Sequence, residues 1–134
     1  MIEFIEKPQV SQIKCVILDY DGTLTTFRRG WEKILYKYSY EAVCGQIEPA
    51  NELKTQIEAG LQYFVSHAGG SSPRQVMANL LKNINKFELV PKSEIKSLEE
   101  YVADYVQVFK SSISKRLEKS YIDSSRYLIK FTRE

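Results

Sequence analysis

Apolar positions follow two different rhythms along this chain. Near the start, Ile13 and the run Cys15-Val16-Ile17-Leu18 are apolar without alternation, and Asp19-Tyr20-Asp21-Gly22 ends them. An unbroken apolar run stopped by turn formers predicts a strand buried on both faces, of the parallel-sheet type. Downstream the rhythm becomes helical. Trp31, Ile34, Leu35 and Tyr38 recur every three to four residues, and Leu53, Ile57, Leu61, Phe64 and Val65 repeat the pattern after Pro49. Two amphipathic helices are expected there.

Ser72, Pro73 and Gln75 announce a third helix. The Ser can cap free amides, Pro suits the first helical position, and Gln three residues after the cap completes a capping box. Its apolar face is Met77, Leu80, Leu81 and Ile84. After Pro91 an apolar stripe runs from Ile95 through Leu98, Val102, Tyr105 and Phe109 to Leu117, the pattern of one long helix. Asp123 or Ser124 can cap a last short helix carrying Tyr127, Leu128 and Phe131. The tally is lopsided, since a strand apolar on both faces needs neighbours for its backbone groups and layers over its side chains. Residues 2–6 are the only other strand candidate, so the sheet is expected to be incomplete within these residues.

Composition narrows the class. At 134 residues the chain has the length of one domain, and 43% hydrophobic with 12% aromatic residues, nine of them Tyr, excludes a disordered tail. Nineteen Lys and Arg against seventeen Asp and Glu leave a net charge of +2 with no like-charge run, so no nucleic-acid partner is indicated. No segment approaches the roughly 20 apolar residues of a membrane span, and no signal peptide is apparent, so a cytoplasmic protein without a membrane partner is expected. Cys15 and Cys44 are accordingly expected to be reduced.

Asp19-Tyr20-Asp21-Gly22-Thr23 places two carboxylates directly after the apolar run, at the strand end where open α/β sheets bind ligands. The plain alternative is that Asp and Gly merely end a strand as turn formers. The stretch Val16-Ile17-Leu18-Asp19-Tyr20-Asp21-Gly22-Thr23-Leu24-Thr25 resembles the first motif of the haloacid dehalogenase (HAD) superfamily, an apolar strand ending in Asp-x-Asp-Gly-Thr. That resemblance implies an α/β, Rossmann-like core, incomplete in this chain, with an inserted α-helical cap. It divides the chain into the start of the core with the motif at 1–29, a helical cap at 30–118, and a return to the core at 119–134.

The resemblance also implies a chemistry: phosphate monoester hydrolysis of a small phosphorylated metabolite through an aspartyl phosphate. Asp19 would be the nucleophile, and Asp21 would protonate the leaving oxygen and then take a proton from water. Two carboxylates facing a phosphate dianion repel it unless a cation intervenes, so Mg²⁺ is expected, held by the Asp19 carboxylate and the Asp21 backbone carbonyl. Gly22 permits a tight turn, and the amides there and at Thr23 can hold phosphate oxygens.

Arg28-Arg29-Gly30-Trp31 is similar to phosphoglycolate-phosphatase-like members. Arg28, Arg29 and Arg74 are candidate partners for a substrate anion, against the plainer reading of solvated surface arginines. His67 reads as a helix cap before a ligand, and Trp31 as core. The family's later motifs, a strand ending in Ser or Thr, a Lys and an acidic pair, are not visible. The chain is therefore expected to be the N-terminal part of such an enzyme, with oligomerisation or strand exchange completing the sheet. The rival expectation is a non-catalytic helical interaction module carrying a relic Asp motif.

Overall fold

The computed structural model describes residues 28–122 together with Lys14, Cys15, Ile17 and Thr26. Four helices follow one another: α1 (Trp31–Cys44), α2 (Asn51–Ser66), α3 (Pro73–Phe87) and α4 (Leu98–Ile122). Each begins where the helical rhythm of the sequence begins, within a few residues. Gly30, at φ 79°, turns the chain into α1 in a conformation that costs a residue with a Cβ. At the other end Gly45, at φ 57°, donates its N–H to the Glu41 carbonyl at 2.9 Å. A Cβ on Gly45 would also stand 3.2 Å from Val90 Cγ2, so backbone angle and close approach both select glycine there.

The capping box of α3 forms as its residues predict. Ser72 Oγ accepts from the Gln75 N–H, and Gln75 Oε1 accepts from the Ser72 N–H at 3.0 Å. A second box, not read from the sequence, starts α4: the Ser97 N–H donates to Glu100 Oε2 at 2.8 Å, and the Glu100 N–H to Ser97 Oγ at 3.3 Å. It sets the helix start at Leu98, three residues after the apolar stripe begins.

The core lies between α1, α2 and α3. Leu35, Val43, Ile57, Leu61, Met77, Leu80 and Ile84 have no solvent exposure, and α4 adds Tyr101 and Tyr105. α3 packs on all three other helices and α1 does the same, whereas α2 and α4 lie on opposite sides of that pair and do not meet. Trp31 packs against the core, as its position in the stripe suggests. Ser39 is fully buried in mid-α1, and its hydroxyl has no partner among the described residues. No helix among the described residues is long and apolar enough to cross a membrane.

The expected α/β, Rossmann-like architecture is corrected by this structure, because the described residues form a helical fold with no strand and no sheet. Lys14, Cys15 and Ile17, within or beside the expected strand, belong to no regular element. Cys15 is exposed and Ile17 is 93% exposed, where a two-sided buried strand would hide both. The physical reason lies in the pairing requirement. An apolar run becomes a buried strand only if other strands take its N–H and C=O groups and helices cover both faces, and the helices here spend their apolar faces on one another. Strand exchange was expected on the strength of that sheet, and the described residues contain no sheet edge. α4 runs without a break through position 118 to Ile122.

Candidate functional site

Asp19, Asp21, Gly22 and Thr23 lie outside the described residues. Downstream of them the structure describes Thr26 and then residues 28–31. The Arg29 N–H donates to the Thr26 carbonyl and the Trp31 N–H to the Arg28 carbonyl, both at 3.0 Å, so residues 28–31 form a hydrogen-bonded turn into α1. The guanidinium of Arg28 lies 5.5 Å from the centroid of the Phe109 ring on α4, an attractive arrangement for a cation over an aromatic face. From there an aromatic ladder leads inward. Phe109 stacks on Tyr105 at 6.1 Å, and Tyr105 meets Tyr38 of α1 at 5.8 Å.

That ladder couples the turn to the helix pair α1 and α4. The Tyr38 hydroxyl donates to the Tyr101 carbonyl at 3.2 Å. Burial pushes the Tyr38 hydroxyl well above its ordinary pKa, with the nearby Asp104 charge adding to the rise. Burial also raises Tyr105, where Arg28 acts in the opposite sense. Arg28 thus stands at the seam of α1 and α4, with part of its charge directed at a ring and a phenol. Arg29 is exposed in the same turn.

Arg74 sits elsewhere. It occupies the first turn of α3 and pairs with Glu99 at 2.8 Å, tying the starts of α3 and α4 together. Glu99 is held below the ordinary carboxylate range, first by its own backbone N–H and then by the Arg74 guanidinium. Positions 99 and 109 are ten residues apart on α4, or about 15 Å along its axis. The structure therefore separates Arg74 from Arg28 and Arg29, and the three do not converge on one anion.

For Mg²⁺ the donor chemistry suits the ion, since a carboxylate and a backbone carbonyl are the hard oxygen ligands it prefers. Asp19 and Asp21 would supply them. Among the described residues no group of three or more His, Cys, Asp or Glu side chains is placed to hold a metal ion. His67 is the C-cap of α2, with its Nδ1 2.8 Å from the Tyr63 carbonyl oxygen. Cys44 is buried and free, and burial raises its thiol pKa.

Sequence reasoning missed Glu99 and Phe109, which Arg74 and Arg28 meet. Glu99 could have been found from the capping box Ser97-Leu98-Glu99-Glu100, which puts acids at a helix start. Phe109 gave no such signal, because its meeting with Arg28 depends on how α1 and α4 are packed. A groove between α2 and α3, described below, was also missed. No protein-family model, no curated protein and no solved structure matches this chain.

Proposed function

We propose that this chain carries the nucleophile and acid/base pair of a Mg²⁺-dependent phosphate monoester hydrolase, with its helices serving as a cap beside the reacting phosphate. The observation that carries the reading is the motif Asp19-Tyr20-Asp21-Gly22-Thr23 immediately ahead of a helical unit. Four residues separate Thr23 from Arg28, a tether of five residue steps and at most about 18 Å, and the Arg28 guanidinium lies over the Phe109 ring of α4. That tether supports a motif within reach of the α1 and α4 side of the helices.

Asp19 attacks phosphorus as the alcohol leaves with a proton from Asp21, and Asp21 then draws a proton from the water that cleaves the aspartyl phosphate. The cation, when bound, offsets the charge of carboxylates and phosphate. The substrate is a small phosphorylated metabolite.

The test is Mg²⁺-dependent hydrolysis of an aryl phosphate by this chain and by any longer product of the same gene. Asp19→Asn is expected to lower the rate by at least about a thousandfold. Turnover indifferent to Asp19→Asn, or inertness of every form, overturns the reading. The second reading, a non-catalytic helical interaction module, is favoured by the self-contained helical core and the exposed Ile17. Inertness of every form is the outcome it requires.

A further inference from the structure

The groove between the second half of α2 and the middle of α3 has a volume of about 330 Å³, at the lower end of the size range of small-molecule sites. Its floor is apolar, made by the buried Phe64, Ala68 and Val76. One wall is the Tyr63 ring, 67% exposed yet held in place, its centroid 4.1 Å from that of His67. His67 is pinned in turn, with Nδ1 2.8 Å from the Tyr63 carbonyl oxygen and 2.9 Å from Ser66 Oγ. A carbonyl only accepts, so Nδ1 carries a proton and donates it there. On the α3 side, Lys82 Nζ donates to Asn79 Oδ1 at 3.0 Å, which leaves two ammonium hydrogens for a ligand. Asn83 Nδ2 donates to the Asn79 carbonyl at 3.0 Å.

Charge sets this groove apart. No carboxylate lines it, and Lys82 is its one lysine or arginine. Three other hollows among the described residues mix acids with lysines: Glu41 and Glu94 with Lys96, Glu48 and Glu58 with Lys54, and Glu41 with Lys33 and Lys37. An anion in this groove meets an ammonium and no lining carboxylate. An aromatic plate held flat, an apolar floor and a partly unsatisfied ammonium together call for a ligand that is planar, apolar in its body and negative at one end.

We propose that this groove binds a small aromatic carboxylate, its ring against Tyr63 and over Phe64 and Val76, its carboxylate on Lys82. The site stands independently of the phosphoryl chemistry proposed above.

The probe is 4-hydroxyphenylacetate, titrated into the ¹⁵N-labelled chain while amide chemical shifts are followed, with the neutral 4-hydroxyphenylacetamide and plain acetate as comparisons. Saturable shifts are expected at Gly60, Tyr63, His67 and Lys82, with roughly tenfold weaker binding for the amide and for Lys82→Met. Lys82 is exposed, so Lys82→Met leaves the core untouched. Tyr63→Ala, also at an exposed position, should weaken binding severalfold. The proposal is overturned by the absence of saturation into the millimolar range, by equal binding of acid and amide, by acetate binding as well as the aromatic acid, or by shifts that map outside the groove.

Discussion

α3 and α4 carry the same kind of apolar stripe and the same capping box, yet they use them differently. α3 has 15 residues and sinks Val76, Met77, Leu80 and Ile84 into the core. α4 has 25 residues, about 37 Å of helix, beside neighbours of 14 to 16 residues that span only about 21–24 Å. Its first two turns bury Tyr101 and Tyr105, but farther along Phe109 and Ile113 are only half-buried and Val108 is 41% exposed. A periodic stripe therefore announces a helix, whereas burial along it depends on how far the neighbouring helices reach.

The largest expected effect tests that contrast directly. Leu80→Ala should destabilise the protein by about 2–5 kcal/mol in urea unfolding, because it leaves a cavity in a closed core. Val108→Ala on α4 should change stability by no more than about 0.5 kcal/mol. Comparable losses would mean that the second half of α4 is covered in solution.

The tyrosines of α1, together with Tyr105 of α4, offer a second probe. Tyr36, Tyr38, Tyr40 and Tyr105 all have raised pKa values, with burial the leading cause. A raised phenol favours the neutral folded form, so the stabilisation is complete below the ordinary value of 10.0 and is lost as pH rises through the folded values. Alkaline unfolding followed by circular dichroism should show this loss, and Tyr38→Phe should shift it to higher pH. The same substitution should cost about 1 kcal/mol near neutrality, since the hydrogen bond from Tyr38 to the Tyr101 carbonyl is lost.

Helix starts give the next effect. Ser72→Ala should cost about 1 kcal/mol, and Ser97→Ala a similar amount, if the two boxes are equivalent. A much smaller loss at Ser97 would show that docking of Tyr101 and Tyr105, and not the cap, holds the start of α4.

Ser39→Ala should be neutral or stabilising by up to about 1 kcal/mol, because it removes a buried hydroxyl that has no partner among the described residues. A clear loss would reveal a partner for it.

The smallest effect lies at acid pH. Glu100 is held below the ordinary 4.5 by the Ser97 hydroxyl and then its N–H. Its contribution is present above that value and lost as pH falls through the lower folded one. Glu100→Gln should flatten the acid limb of the stability curve slightly.

Much of this fold was legible before any tertiary structure. The stripes through Leu35, Ile57 and Leu80 and the Ser72 box placed three helices, because capping and amphipathic spacing act within about four residues of chain. The start of α4 was misjudged because the apolar Ile95 was read and Ser97-Leu98-Glu99-Glu100 was not. The expected burial of Cys15 and Ile17 failed for a different reason, as an apolar run states only that burial is favourable and not which structure provides it. Of the candidate site, the Asp motif is a matter of sequence, while the roles of Arg28 and Arg74 are not.

The sequence by itself determined the four helices described here, the cap of α3 and the apolar faces, since each rests on neighbours along the chain; the short helix expected from Asp123 or Ser124 lies outside the described residues. Only the tertiary structure decided that Arg74 meets Glu99, that Arg28 meets Phe109, and that α2 and α3 leave a groove without acids between them. Those outcomes depend on residues far apart in the chain, brought together by the joint burial of four helices, and no local pattern encodes them.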